Sequence, residues 1–367
     1  MGPKVFGTRM WVLRGHRRLL AGAACALLTT VQVACAPNDT DAPGPQMAAI
    51  EPVPSHLPHP ALTDAVFTTT DDKVLPLRRW LPDDGAPPRA VILALHGFND
   101  YSNAFDAPAR RWAKDGIATY AYDQRGFGGA PGRGFWPGSD ALATDAVTAA
   151  TLLRTKYPHT PLYLLGESMG GAMAVLAATG TNGIRPAEVD GVILSAPAVW
   201  TRESMQFVPR LALWTGVRMF PGALFTGESL HILASDNIPM LIALGNDPMV
   251  IKATRVDAMY GLVNLMDQTI DAAPRLTAPL LVMYGAHDAV IPADPVRAFV
   301  DALPAASARG DRFAYYQNGY HMLMRDLEGP TVADDVASWV LNRPAALPSR
   351  ADWIETDRPW PPLGAGG

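Results

Sequence analysis

Beyond residue 35 the chain contains no cysteine; both of its cysteines, Cys25 and Cys35, lie in the first 35 of 367 residues. That absence removes an internal disulfide, a thiolate metal site and a cysteine nucleophile from everything downstream. Basic runs are just as scarce. The first 35 residues hold Lys4, Arg9, Arg14, Arg17 and Arg18 and no acid, which leaves 25 basic against 35 acidic groups, a formal charge of −10, for the rest. An acidic body with no basic cluster after Arg18 argues against nucleic acid as a partner. Charged residues make up 18% of the chain and hydrophobic ones 49%, far from the composition of disordered chains and enough for a large buried core.

Only one long apolar run exists, from Leu19 to Ala34. It follows Arg17-Arg18, is short for a membrane span and ends in small residues, which is the layout of an export signal over residues 1–35. Ala34-Cys35-Ala36 fits an Ala-x-Ala cleavage site, whereas Val33-Ala34-Cys35 resembles a bacterial lipobox, with Cys35 lipidated and the protein attached to a membrane. Gln32 stands where a lipobox usually has leucine, and an uncleaved anchor is a third alternative. The expected location is the bacterial periplasm or a lipid-anchored membrane surface, with secretion as second choice. Residues 36–61 contain seven prolines and read as an extended linker, with His56 and His59 as solvated linker residues.

From there to residue 196 short apolar runs alternate with helical patterns. The runs are Val91–Leu95, Ile117–Tyr122, Leu162–Leu165 and Val192–Leu194; Leu142, Val147, Ala150 and Leu153 after Ser139 show helical spacing. Fully apolar short strands between helices predict a mostly parallel sheet covered on both faces, an α/β fold. The rhythm stops after Ala196 and resumes at Leu280–Tyr284 and Phe313–Tyr316, before a last helix with Val332, Val336, Trp339 and Val340 on one face. One domain, 62–342, is therefore interrupted by an insertion over about 197–275, read as a helical cap. The cap holds Trp200, Met205, Phe207, Leu211, Trp214, Phe220 and Phe225. These residues are expected either to line an apolar pocket or to pack the cap on the body. A Pro-rich tail, 343–367, carries Trp353 and Trp360, which are expected to fold back onto the domain.

Gly166-Glu167-Ser168-Met169-Gly170-Gly171 lies between the strand Leu162–Leu165 and a helical pattern over Ala172–Ala178. In that setting G-x-S-x-G reads as a nucleophile elbow, a strained turn that presents the serine hydroxyl at a helix N-terminus. A serine needs a base. Of the eight histidines, His16 lies in the signal and His56 and His59 in the linker; His159 precedes the elbow strand at the far end of the sheet, and His231 falls in the cap. His96 ends a strand and His287 abuts an acid, which leaves His321, in a Gly-flanked loop after Phe313–Tyr316. Loops at the C-terminal ends of strands are where functional groups collect in open α/β sheets. Asp288, in Gly285-Ala286-His287-Asp288 after Leu280–Tyr284, is the candidate acid that orients the base. The order Ser168, Asp288, His321 is that of α/β-hydrolases. The strand Val91–Leu95 runs into His96-Gly97-Phe98-Asn99-Asp100, so the amides of Phe98 and Met169 are the candidate oxyanion donors.

Together these segments resemble the α/β-hydrolase superfamily, and within it the monoacylglycerol lipase and lysophospholipase branch of the serine aminopeptidase S33 type, over roughly residues 62–342. His96–Ser102 is similar to that branch's oxyanion segment, Asp123-Gln124-Arg125-Gly126-Phe127-Gly128 to its D-x-R-G-x-G turn, and Gly285–Asp288 and His321-Met322-Leu323 to its acid and base segments. Ala130 stands where a serine is common. The resemblance implies hydrolysis of small-molecule acyl esters such as monoacylglycerols or lysophospholipids, through an acyl-enzyme, with no metal or cofactor. A serine at position 168 argues against the epoxide hydrolases and dehalogenases of the same fold. A serine aminopeptidase or a perhydrolase would keep the triad, the former with a cap carboxylate such as Glu228, Asp236 or Asp247 for the substrate amine. A catalytically inactive surface-binding lipoprotein is the alternative from another class.

Overall fold

In this computed structural model the fully apolar runs form the centre of a nine-stranded sheet. Residues 60–83, 85–226, 232–305, 310–353 and 360 are described. The expected export signal with Cys35, the linker through residue 59, Glu228 and His231 lie outside them, and all described residues belong to the compact unit His56–Gly367.

The strands in chain order are β1 (Ala61–Leu62), β2 (Val66–Thr68), β3 (Val74–Trp80), β4 (Ala90–Leu95), β5 (Ile117–Tyr122), β6 (Leu162–Glu167), β7 (Gly191–Ser195), β8 (Leu224–Thr226), β9 (Ala253–Arg255), β10 (Leu280–Gly285) and β11 (Arg312–Tyr316). The large sheet has the order β1-β2-β3-β5-β4-β6-β7-β10-β11. Strands β5 through β11 in that order pair in parallel, and β1–β3 add an antiparallel edge. The antiparallel edge is absent from the apolar-run reading because Val74–Trp80 alternates exposed and buried positions, as a one-sided strand does.

The helices are α1 (Asp106–Lys114), α2 (Ser139–Lys156), α3 (Met169–Thr179), α4 (Phe207–Met219), α5 (Ile238–Asn246), α6 (Val256–Ala272), α7 (Ala293–Ala302) and α8 (Gly329–Leu341). Strand β4 shows how the layers arise. Val91, Leu93 and Leu95 join Leu142 of α2, Met173 of α3, Val263 of α6 and Val296 of α7 in one core, whereas Ala90, Ile92 and Ala94 join Trp112 of α1 and Val336 and Trp339 of α8 in the other. The period-2 alternation of a strand thus feeds two hydrophobic layers at once. Burying a side chain such as Ile92 or Leu93 in full is worth about 1.5–3 kcal/mol, which is why a run of six apolar residues commits to the sheet centre.

The chain leaves the sheet after β7 and returns at β10. Between them, α6 is built into the body: Val263, Leu265 and Met266 are buried, and a Cβ on Gly261 would lie 2.3 Å from the Trp136 ring. Helices α4 and α5 bury no residue, and β8 with β9 forms a short antiparallel ribbon that the sequence pattern did not reveal. At the far edge the tail pairs with β11: the Tyr315 amide donates to Ala351 (2.9 Å) and the Trp353 amide to Phe313 (2.8 Å), and Trp360 is buried against Tyr284 and Phe313. That cover satisfies backbone groups that an open edge strand would expose.

Candidate active site

Ser168 is the hinge residue between β6 and α3, with φ 54° and ψ −115°, a left-handed conformation that costs a non-glycine residue energy. Its neighbours hold it there. The Ser168 amide donates to the Ser195 carbonyl of β7 (2.9 Å), and its own carbonyl accepts from Gly171 (2.9 Å), Ala172 (3.2 Å) and Ala198 (2.9 Å). The flanking glycines are a steric necessity: a Cβ on Gly166 would sit 2.1 Å from the Gly170 carbonyl oxygen, and one on Gly170 only 1.9 Å from that of Leu95. Ser168 itself stays partly exposed amid buried neighbours.

Strand β4 lies directly beside β6, with Leu95 opposite Gly166, so the loop after β4 reaches the serine. A Cβ on Gly97 would be 3.6 Å from the Ser168 Cβ. The buried His96 ring shapes this loop. Its Nε2 accepts from the Gln124 amide (2.9 Å), which leaves Nδ1 to donate to the Gly97 carbonyl (2.8 Å). A trans peptide points its C=O and N–H to opposite sides, so anchoring the Gly97 oxygen on one side turns the Phe98 N–H to the other. Among the described residues the Phe98 amide has no backbone acceptor, and the Met169 amide opens α3, where first-turn donors lack an intrahelical partner. Burial lowers the His96 pKa, with the Gly97 carbonyl and the carboxylates of Asp123, Asp100 and Glu167 opposing it, so the ring remains neutral.

Asp288 and His321 lie after β10 and β11, adjacent strands in the sheet. The Asp288 Oδ1 accepts the amides of Val290 (2.8 Å) and Ile291 (2.9 Å), and its Oδ2 lies 2.9 Å from His321 Nδ1. With the Asp288 side chain fully enclosed, this geometry assigns the neutral imidazole its proton on Nδ1 and leaves Nε2 as the acceptor. Burial pulls the His321 pKa down, but the Asp288 carboxylate, by charge and hydrogen bond, and Glu167 outweigh burial and the opposing Arg325, so the net shift is upward. The His321 loop is tied to the Asp288 loop and to the segment preceding α5 through His287 N–H to Gly319 (2.9 Å) and Met322 N–H to Ala234 (3.0 Å).

Three charged residues that the motif reading passed over sit beneath this arrangement. Arg325, in the turn Leu323–Arg325, places Nη2 2.5 Å from Glu167 Oε1 and Nη1 2.7 Å from Asp100 Oδ2, the second contact off the line of a hydrogen bond. Glu167 and Asp100 were visible only as letters inside two motifs, and no local pattern links them to an arginine 158 positions beyond Glu167. Arg125, in the Asp123–Gly128 turn, ties that turn to its surroundings: it binds Asp71 in the turn between β2 and β3 and, at 2.6 Å, Asp145 of α2. Asp145 is pushed up to about 6 by burial, against the pull of Arg125.

Other sequence candidates lie elsewhere. His287 stacks on Tyr320 with ring centroids 5.1 Å apart. Asp236 accepts the Leu327 amide (2.8 Å), and Asp247 accepts from the Tyr101 hydroxyl (2.7 Å) and the Met249 amide (2.8 Å). The expected cap aromatics divide. Trp200 and Met205 pack against the core, but Phe207, Leu211, Trp214, Phe220 and Phe225 are exposed, Phe207 by 75% and Trp214 by 51%. For those five, packing of cap on body is not what their apolar surface does. Among the described residues no group of three or more His, Cys, Asp or Glu side chains is placed to hold a metal ion.

Residues 86–328 match the family model described as serine aminopeptidase, S33. A monoacylglycerol lipase of Mycolicibacterium smegmatis is 29% identical over 275 residues, 72% of this chain and 91% of that protein. A monoglyceride lipase of Rattus norvegicus is 26% identical over 312 residues, 83% of this chain and 99% of that protein. In fold, a soluble variant of the Saccharomyces cerevisiae monoglyceride lipase superposes with a TM-score of 0.63 at 20% identity, covering 78% of this chain and 98% of that one. A carboxyl esterase from Bacillus coagulans gives 0.58 at 18% identity, covering 76% and 97%. The chain is thus an α/β-hydrolase of the serine aminopeptidase S33 family, in the branch that resembles the monoacylglycerol lipases.

Proposed function

We propose that this protein hydrolyses acyl esters of long-chain character, monoacylglycerols or lysophospholipids among them, through an acyl-enzyme on Ser168. The observation that carries the reading is the Asp288–His321 hydrogen bond of 2.9 Å, formed across two strand ends and oriented so that Nε2 is free to take the serine proton. Ser168 attacks the ester carbonyl while His321 accepts its proton, and His321 then returns that proton to the departing alcohol. Water hydrolyses the acyl-enzyme with His321 again as base. The amides of Phe98 and Met169 would stabilise the anionic oxygen, each such donor typically being worth about 2.7–4 kcal/mol.

Two features favour an amphiphilic substrate. The relatives named above are lipases, and the exposed apolar residues Phe207, Val208, Leu211 and Trp214 of α4 suit contact with acyl chains or a lipid surface better than with water. The basic and apolar N-terminal segment supports export, with Cys35 as the site of lipid attachment; mass spectrometry of the purified N-terminus tests this part separately.

The decisive experiment measures hydrolysis of nitrophenyl esters from acetate to stearate, with Ser168→Ala as control and an aminoacyl nitroanilide in parallel. Rates that rise with chain length and vanish in the variant are expected. A preference for acetate would make the enzyme a short-chain esterase, and faster turnover of the nitroanilide would make it an aminopeptidase. Undiminished hydrolysis by Ser168→Ala would refute the mechanism.

A further inference from the structure

We propose that Arg325 is a positioning residue of the active site: a single guanidinium that pins the serine turn, the oxyanion loop and the base loop to one another and shields two buried carboxylates from the charge that forms during acyl transfer. The inference rests on the acyl-transfer reading above. Its structural basis is a convergence of three chain segments. Glu167 immediately precedes Ser168 at the end of β6, Asp100 lies two residues beyond Phe98 after β4, and Arg325 lies four residues beyond His321. The Arg325 side chain is 9% exposed, that of Glu167 3% and that of Asp100 7%, so these charges meet with little water between them.

A bidentate cation is suited to this place. The planar fork reaches one carboxylate at the end of β6 and another in the loop after β4, which the point charge of a lysine does less well. The backbone supports the arrangement: Asp100 Oδ1 takes the Tyr101 amide (2.8 Å), and the Arg325 amide donates to the Met322 carbonyl (2.7 Å). Charge balance gives the cluster a second role. Two carboxylates face one cation, so the cluster carries a net negative charge beside the place where an oxyanion must form. Without the guanidinium that charge doubles. An oxyanion would be destabilised, and the imidazolium of His321 would become easier to form.

The groups that bear on His321 are the Asp288 carboxylate from the loop after β10, Glu167 from β6 and Arg325 from its own turn, with Asp326 nearby holding the Tyr320 amide (2.7 Å). Arg325 opposes the two anions. Loss of Arg325 is therefore expected to move the acidic limb of the pH–rate profile upward, and loss of Glu167 to move it downward. A brace that served only to hold the fold would move neither.

The test uses the full chain. Wild-type protein must first be labelled at Ser168 by a fluorophosphonate and hydrolyse a nitrophenyl ester; failure there refutes the acyl-transfer reading and not the role of Arg325. Arg325→Gln, Arg325→Lys, Glu167→Gln and the double variant Glu167→Gln/Arg325→Gln are then assayed over roughly pH 5 to 9, with a melting curve for each. Arg325→Gln is expected to lose roughly 100-fold in kcat at neutral pH, the scale of one lost electrostatic contact to the reacting centre. Its acidic limb is expected to rise by about one pH unit, the lower end of what an adjacent charge does. Arg325→Lys keeps the limb in place with a smaller loss of kcat. The double variant returns the limb toward that of wild type, because the cluster again carries a single net negative charge, now that of Asp100 alone. The proposal is overturned if folded Arg325→Gln keeps both its limb and a kcat within about threefold of wild type. A limb that stays unmoved while kcat tracks only the folded fraction overturns it equally. Should Arg325→Gln not fold, Glu167→Gln carries the test, and an unshifted limb in that variant refutes the proposal.

Discussion

Replacing Asp288 by asparagine isolates the tautomer of the base. In the wild type, Oδ1 is taken by the amides of Val290 and Ile291 and Oδ2 faces His321 Nδ1. An asparagine in the same pose must give its carbonyl oxygen to those two amides, since the reverse placement would set its NH2 against two N–H donors. Its NH2 then faces Nδ1, which must become an acceptor, and the imidazole proton moves to Nε2. A ring protonated there cannot receive the Ser168 proton. The expected loss in kcat is about 10⁴-fold, the magnitude seen when a triad aspartate becomes asparagine, or roughly 5.4 kcal/mol in the barrier at 1.36 kcal/mol per tenfold. KM is expected to hold, because the change touches proton transfer and neither adds nor removes apolar surface. The assay is kcat and KM on a medium-chain nitrophenyl ester, with circular dichroism to show that the fold is intact. A kcat within about tenfold of wild type in folded protein would show that the hydrogen bond does not set the tautomer.

Three further outcomes follow from the same structure. The net upward shift of His321 means that activity, which needs the neutral ring, rises with pH through a midpoint above 6.5, whereas the stability contributed by the Asp288–His321 pair is present below 6.5 and lost as pH rises through that same midpoint; kcat/KM and melting temperature recorded across pH check both signs. Arg125→Ala leaves Asp145, whose side chain is 1% exposed, as an unpaired buried carboxylate, and is expected to cost about 3–5 kcal/mol. Because burial already holds Asp145 at about 6, that cost shrinks as pH falls and the carboxyl protonates, so urea midpoints on either side of pH 6 must converge toward wild type on the acidic side. Gly170→Ala puts a Cβ against the Leu95 carbonyl oxygen, backbone that cannot rotate away, and is expected to destabilise by roughly 3 kcal/mol and displace the serine; a melting temperature equal to that of wild type would contradict the packing described for the turn.

How much of this was legible beforehand depended on whether a residue's partner lay within its own motif. The central strands were legible because burial on both faces demands unbroken apolar runs, as in Ala90–Leu95 and Leu162–Leu165. The serine turn was legible because its two glycines answer a steric demand that any chain making that turn must meet. The antiparallel edge over Ala61–Trp80 was not, since a strand with one solvated face carries charges such as Arg78 and Arg79 that interrupt the run. The cap aromatics were legible as apolar but not as exposed, because composition cannot say which way a helix faces.

The sequence alone determined the alternation of strand and helix, the strained serine between two obligatory glycines, and the order in which Ser168, Asp288 and His321 follow one another. Only the tertiary structure decided that Asp288 and His321 meet at 2.9 Å and that His96 turns the Phe98 peptide. It alone also brought Arg325 to two carboxylates from distant segments, the end of β6 and the loop after β4. The reason is physical: sterics and burial act between near neighbours along the chain and leave a periodic trace, whereas a charge finds its counterpart through space, and neither residue changes its local pattern to announce the other.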